Sequence, residues 1–333
     1  MIKILELFGG IGAARKALIN LGINHKAIDY VEIKESAVRA YNALFDNRYK
    51  PQTVIGWNLK PDILIHGSPC QDFSRAGKRL GGKDEDKTRS SLMWETLRII
   101  ENMGEWKPKV VVWENVKGVL DRDMIHSFNK YLDYMSDLGY TNSFEVLNAA
   151  DFGIPQRRER VFTISILGDA AFDFTKLKRK PMKHIDLFLD LDVKSEQYLI
   201  NIPSMLRKIP EFNPEPEGTY KRMLDVIEDS CWTITERQDR CPNAGIIRHK
   251  DKPLYRYLTE REVWKLMGFD DVDFDEMLKQ FPSKPGKRNA TLYALAGNSI
   301  VVDVLEAIFE VILNEDYATK FITDNTGQLQ LIC

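Results

Sequence analysis

Ile2-Lys3-Ile4-Leu5-Glu6-Leu7-Phe8-Gly9-Gly10-Ile11-Gly12 opens the chain, and a helix-like stretch through Leu21 follows it. Residues 2–8 read as a strand, and the glycines turn that strand into the helix. Glycine permits positive φ and lets a ligand approach the backbone closely. On its own the turn is ambiguous. It falls short of a full G-x-G-x-x-G, and a plain tight connection needs the same residues. The unit then repeats, with a strand over 26–31 and a helix over 34–45. Buried-looking strands at 62–66 and 109–113 flank a helix near 91–103. A helix near 124–138 leads to strands at 143–147 and 160–167. Strands alternating with helices predict an α/β fold with a parallel sheet covered on both faces. Sites in such folds lie at the carboxyl ends of the strands, near the switch point.

From about residue 168 to 251 the alternation fades, charged turns dominate, and prolines gather at Pro203, Pro210, Pro214 and Pro216. This predicts a second, smaller domain, mostly irregular or β. A helix is expected over 259–267, where Thr259 as N-cap and Glu262 at the third helical position make a capping box. The last helix, residues 299–313, is amphipathic and is expected to pack back on the first sheet.

The 333 residues are 44% hydrophobic and 29% charged, with a formal net charge of -2, an ordinary globular composition with room for a large core. Without a global excess of positive charge, any nucleic-acid surface has to be a local patch. No apolar run is long enough to span a bilayer, and residues 1–10 carry no signal-peptide pattern, so a cytoplasmic protein without membrane contact is expected. The cysteines are Cys70, Cys231, Cys241 and Cys333. None forms a C-x-x-C pair and the histidines do not stand at zinc-ligand spacings, so no metal is expected. A reducing compartment argues against a disulfide framework. Each thiol is then a core filler, an inert surface group or a nucleophile.

Three strand ends carry chemistry. The second strand ends in Asp29-Tyr30-Val31-Glu32, an acid where a nucleotide ribose would lie, although a solvated acid is the plainer explanation. The third runs into His66-Gly67-Ser68-Pro69-Cys70-Gln71-Asp72-Phe73-Ser74. A lone Cys is usually a packed small hydrophobe. Here the polar, Pro-constrained loop argues against simple burial. The fourth ends in Trp113-Glu114-Asn115-Val116, so a carboxyl and a thiol converge on one crevice. Gln156-Arg157-Arg158-Glu159-Arg160 precedes the last strand, where alternation would point Arg158 and Arg160 the same way. Surface salt bridging competes as their role.

Together these segments closely resemble the DNA cytosine-5 methyltransferases of bacteria and their phages, in the family's order and over most of the chain. The match runs from Phe8-Gly9-Gly10-Ile11-Gly12 and Glu32 through Pro69-Cys70-Gln71 and Glu114-Asn115-Val116 to 156–160. It continues in Arg256-Tyr257-Leu258-Thr259-Glu260-Arg261-Glu262, in Met267-Gly268-Phe269, and in Ala296-Gly297-Asn298-Ser299-Ile300-Val301. The resemblance implies a Rossmann-like, S-adenosylmethionine-dependent catalytic domain over 1–167. It implies a target-recognition domain over 168–252 and a return segment over 253–333 whose last helix completes the first domain. Cys70 would be the nucleophile that attacks C6 of a flipped-out cytosine. Glu114, protonated or sharing its proton with the base, would stabilise charge through N3. Arg158 and Arg160 would complete the catalytic set, with Arg160 on the base or on Glu114. For S-adenosylmethionine the matching positions are Phe8, Gly10, Gly12, Glu32, Ile33, Asn58, Pro69, Leu92, Asn298 and Ser299. Asn58 stands where the family commonly has Asp, so an uncharged amide faces the adenine amine, and Ser68 replaces a second proline.

The partner implied is double-stranded DNA, bound by a monomer. A cognate restriction endonuclease of the same specificity need make no contact. Residues 75–89, with Arg75, Lys78, Lys83 and Arg89 among glycines, read as a basic loop that could close over DNA, beside Gln71 and Ser74. A solvated surface loop has the same composition. Cys231-Trp232-Thr233-Ile234-Thr235 resembles the family's Thr-containing recognition segment. Thr233 and Thr235, with Arg237, Gln238 and Arg240, are then candidates for base edges or phosphates. Two rivals remain: a tRNA cytosine methyltransferase of the same fold, which usually lacks the Gln-Arg-Arg-Glu-Arg pattern, and a catalytically dead DNA-binding module, which would need none of Cys70, Glu114 and Arg160.

Overall fold

The computed structural model describes residues 1–55, 59–67, 91–190, 192–212, 223–249 and 254–314, with two short strands at Phe321–Thr323 and Leu329–Leu331. Strand β1 (Ile2–Leu7) leads to helix α1 (Ala13–Asn20), and β2 (His25–Val31) to α2 (Glu35–Phe45). Strand β3 (Ile63–His66), α3 (Ser91–Asn102), β4 (Val110–Val116), α4 (Ile125–Asp137) and β5 (Tyr140–Asn148) follow, then β6 (Gln156–Arg157) and β7 (Glu159–Leu167). The six-stranded sheet has the order β2-β1-β3-β4-β7-β5. The first four pair in parallel, as expected, but β7 enters antiparallel between β4 and β5. The reason lies in the connection. A parallel return needs a helical crossover of about a dozen residues or more. Between β5 and β7 the chain holds only a 3-10 turn (Ala149–Asp151) and β6, so it turns back.

Apolar residues on successive positions serve opposite faces. Ile4, Ile63, Ile65, Val110 and Val112 pack with α1 and α2, whereas Leu5, Leu64, Val111 and Trp113 pack with α3 and α4. That is the period-2 arrangement of a sheet covered on both sides.

Beyond the sheet come α5 (Pro203–Leu206), β8 (Cys231–Trp232), β9 (Ile247–Arg248) and β10 (Tyr255–Arg256). Helices α6 (Glu260–Lys265), α7 (Asp271–Gln280), α8 (Ala290–Gly297) and α9 (Val302–Leu313) follow. Helix α9 joins the core beneath α1, as its amphipathic pattern predicts, but starts later than the expected residue 299. The change of core comes later than residue 168. Phe172, Phe174, Leu177, Ile185 and Phe188 still belong to the large core, and a separate small one gathers Ile200, Ile209, Ile246, Tyr255 and Tyr257.

The capping box at α6 is present as predicted, and Glu262 does more than cap. Its carboxylate also accepts from Arg256 Nη2 at 2.7 Å and Nη1 at 2.8 Å, with the side chains 7% and 0% exposed. A further bond from the Asp190 backbone N–H, 2.8 Å, ties in the preceding segment. Removing one partner of such a buried pair strands the other. Arg256→Ala is therefore expected to cost about 3–5 kcal/mol, read as a lower urea midpoint in equilibrium unfolding. An unchanged midpoint would contradict this.

Candidate active site

The glycine turn at the end of β1 is built for close approach. Phe8, Gly10 and Gly12 have φ of 55°, 54° and 79°, in the left-handed region. At Gly12 space also forbids a side chain: a Cβ would lie 2.7 Å from the Tyr41 ring and closer still to Phe45. At Gly10 a Cβ would meet nothing within 4 Å, so the turn is open on that side. Glu32, just past β2, fastens it, with Oε2 accepting from the Gly10 N–H at 3.2 Å and Oε1 from Lys34 at 2.8 Å. Ile33 beside it is 72% exposed. Phe8 and Leu92 pack against one apolar cluster on the opposite face of the sheet from α1. Asn298 caps the C-terminus of α8 and is exposed, whereas Ser299 is buried and bonds its hydroxyl to Ile300 O at 3.1 Å.

Beneath the turn lies a buried polar cluster that the sequence reading missed. Tyr30 Oη donates to Gly10 O at 2.6 Å, and Tyr41 Oη to Glu6 Oε1 at 2.6 Å. The two rings stack with centroids 3.8 Å apart. Burial pushes the Glu6 carboxyl up to about 7, against the pull of the Tyr41 hydroxyl and Arg15. The folded pKa exceeds the unfolded one, so the fold gains from the bound proton. This contribution is fully present below the unfolded value of 4.5 and is lost as pH rises through about 7. The span corresponds to about 3 kcal/mol. Glu6→Gln, which carries no such proton, is expected to be less sensitive to pH than the wild type between pH 5 and 8 in thermal melts. Parallel curves would refute the assignment.

At the end of β3, His66 is fully buried, parallel to Trp113 and bonded to Tyr131 Oη at 3.1 Å. Burial drives its pKa down to about 3, so at neutral pH the ring is uncharged and carries a single N–H proton. Gly67 follows, and a Cβ there would lie 3.7 Å from Glu114 Oε2. The loop expected to hold the nucleophile therefore leaves β3 alongside Glu114. Cys70 itself lies outside the described residues, as do Asn58, Pro69, Gln71, Ser74, Arg75, Lys78, Lys83 and Arg89.

The strand register brings Glu114 and Arg160 together. Glu114 is opposite Phe162, and Arg160 is its diagonal neighbour on the same face. Arg160 Nε lies 3.0 Å from Glu114 Oε1, with the side chains 17% and 13% exposed. Arg158 goes elsewhere. The expected alternation fails because Arg158 stands between β6 and β7, its N–H turned to Gln156 O at 3.0 Å. Its buried guanidinium donates to the carbonyls of Ile234 at 2.8 Å, Ser299 at 2.7 Å and Gly297 at 3.2 Å. A cation at the C-terminus of α8 meets carbonyls with no partner inside the helix and the negative end of its dipole.

The predicted recognition segment docks at this junction. Gly297 is required there, since a Cβ would lie 2.5 Å from Thr235 O and Glu236 N. Gln156, unassigned from sequence, is fully buried and stitches the segment down, accepting from Ile234 N at 3.0 Å and donating to Leu266 O at 2.8 Å. Thr233 Oγ1 bonds Arg157 O at 3.0 Å, and Thr235 is half-buried. Arg237 and Arg240 are exposed, Arg237 3.6 Å from Glu236. Gln238 cannot reach a base edge: it is fully buried and accepts from Ala244 N at 3.2 Å. Among the described thiols, Cys231 is a core filler whose pKa burial pushes up to about 12, and Cys241 is exposed.

Known proteins match this arrangement along its length. The model of the C-5 cytosine-specific DNA methylase family matches residues 2–314. The type II methyltransferase M2.ScrFI of Lactococcus lactis subsp. cremoris is 31% identical, over 93% of this chain and 98% of its own length. M.NgoBI of Neisseria gonorrhoeae is 30% identical, over 92% of both. Among solved structures, the S. pombe Dnmt2 methyltransferase shares the fold, with a TM-score of 0.72 at 23% identity over 94% of this chain and 98% of that one. No helix among the described residues is long and apolar enough to cross a membrane. A carboxyl and an arginine paired at the carboxyl ends of a doubly wound sheet, a glycine turn fastened by an acid, and matches at these shares of length together show that the chain belongs to the C-5 cytosine-specific DNA methylase family.

Proposed function

We propose that the protein methylates C5 of a cytosine flipped out of a specific duplex DNA word, through a covalent bond between Cys70 and C6. The observation that carries this is Glu114, paired with Arg160 at 3.0 Å and lying against Gly67, where the Cys70 loop begins. Three residues span at most about 10–11 Å, so the chain tethers Cys70 within reach of a base held by Glu114.

The residues around the glycine turn fit S-adenosylmethionine. Gly10 leaves the backbone open, Ile33 offers an exposed apolar side chain, and Glu32 keeps lone pairs for ribose hydroxyls beyond its two backbone bonds. When bound, this cofactor supplies an electrophilic methyl group. Everything else falls to the chain. The Cys70 thiolate adds to C6, and Glu114 shares a proton with N3, which limits the negative charge that builds on the ring. Arg160 holds the Glu114 carboxyl in place and adds positive charge beside the developing anion. This addition makes C5 electron-rich and so a fit acceptor for the methyl group the cofactor would supply, and loss of the C5 proton to a base would re-form the C5–C6 double bond and expel Cys70. Extruding the cytosine costs a few kcal/mol, which contacts from residues 75–89 and the recognition segment would offset. Arg158 acts through others, as a positioning residue between the recognition segment and the Gly297–Ser299 carbonyls.

Residues 168–252 are read as the recognition domain, with Thr233, Thr235, Arg237 and Arg240 toward DNA. The two relatives are named type II methyltransferases, which supports a restriction-modification setting. A monomer acting in the cytoplasm, and an endonuclease that needs no contact with it, complete this proposal. The test is transfer of tritiated methyl from S-adenosylmethionine to duplex DNA and, separately, to tRNA, followed by bisulfite sequencing of host DNA. Label in tRNA alone would sink the DNA reading.

A further inference from the structure

The active edge carries a second arginine, one with no role in the chemistry above. Strand β7 runs antiparallel to β4, with Arg160 beside Val116, so the start of β7 and all of β6 lie at the carboxyl edge of the parallel strands. Arg157 is three residues before Arg160, so its Cα lies within about 10–11 Å of the Arg160 Cα. In the β6–β8 register Gln156 faces Cys231 and Arg157 faces Trp232. The first pair is fully buried, and the second turns outward.

Outward, Arg157 is held firmly. Its guanidinium carbon lies 5.1 Å from the centre of the Trp232 ring, and Nε donates to Ser230 Oγ at 3.1 Å. Thr233 Oγ1 bonds the Arg157 carbonyl at 3.0 Å. No carboxylate among the described residues forms an ion pair with Arg157, and Trp232 is 43% exposed. A guanidinium fixed on one face and at Nε keeps its Nη edge for a planar, doubly charge-assisted acceptor, and phosphate oxygens have that geometry.

We propose that Arg157, propped by Trp232 and Ser230, clamps a backbone phosphate of duplex DNA next to the flipped cytosine. This rests on the DNA reading above but concerns residues that it leaves without a task. Such a contact fixes the register of the duplex and reads no sequence.

The experiment measures binding of a fluorescein-labelled duplex of mixed sequence across a salt series, together with methyl-transfer kinetics on the same DNA. Arg157→Ala and Arg157→Gln are each expected to lower the slope of log affinity against log salt by about 0.9, the share of one phosphate. KM for DNA should rise several-fold, with the loss on KM rather than kcat. Arg157→Lys keeps the charge and should keep the slope, and Trp232→Ala should weaken binding less than Arg157→Gln. Arg157→Gln preserves length and hydrogen bonding, so it decides the matter if Arg157→Ala fails to fold. Wild type that binds no duplex overturns both the DNA reading and the clamp. Wild type that methylates DNA while Arg157→Gln matches its slope and KM overturns the clamp alone, as does a loss confined to kcat.

Discussion

Cys70→Ser is expected to lose methyl transfer by on the order of 10³-fold or more while keeping its affinity for duplex DNA. A serine hydroxyl at neutral pH is a far weaker nucleophile than a thiolate, and no general base has been assigned to activate it. Binding should survive because it depends on the cationic surface and the recognition segment. DNA carrying 5-fluorocytosine at the target should trap the wild type covalently, since fluorine cannot leave C5 as a proton. The adduct would appear on a denaturing gel as a mass shift that Cys70→Ser lacks. Turnover in the serine variant, or a trapped complex that survives the substitution, would remove Cys70 from the mechanism. Cys231 is the control: it is fully buried in the core, with its thiol pKa raised to about 12, and cannot substitute as the nucleophile.

Short apolar runs buried on both faces, and the amphipathic helices between them, were readable from sequence. β1 to β4 and the helices between them were all anticipated within a few residues, because strand and helix periods leave distinct apolar patterns. Helix α8 was missed because it has no polar face. Leu292, Tyr293, Leu295, Ala296 and Gly297 are all buried, which leaves no amphipathic signal to find. The antiparallel entry of β7 depends on a connection too short for a crossover, and that was visible in principle in the spacing between strands. In the site, Glu114 and Arg160 were both singled out, and only the register could show that they pair diagonally. The destination of Arg158 could not be read locally. Its partners Ile234, Gly297 and Ser299 lie far along the chain, and carbonyl acceptors leave no trace in residue identity. Glu6 was read only as one residue of a strand because its partner, Tyr41, stands 35 residues later on helix α2.

Glu114→Gln is expected to reduce turnover by about 10²–10⁴-fold, the range that a positioned proton donor or acceptor contributes. An amide can still occupy the space and bond N3, but it cannot exchange a proton with it as the ring takes up charge. Arg160 would also lose its ionic partner at 3.0 Å, which leaves the guanidinium less well placed over the base. Cofactor affinity should hardly change, since Glu114 sits near the end of β4 while the glycine turn is fastened by Glu32 past β2. Glu32→Ala should do the reverse. It removes the acceptor of the Gly10 and Lys34 N–H groups and the candidate ribose contact, and charged hydrogen bonds are worth about 1.5–3 kcal/mol each. S-adenosylmethionine binding should therefore weaken by about 10- to 100-fold. Calorimetric titration of both variants with the cofactor, beside single-turnover methylation at saturating cofactor, separates the two roles. If Glu114→Gln loses cofactor affinity as much as Glu32→Ala does, the two strand ends act as one site, and the division between base chemistry at Glu114 and cofactor binding at Glu32 is wrong.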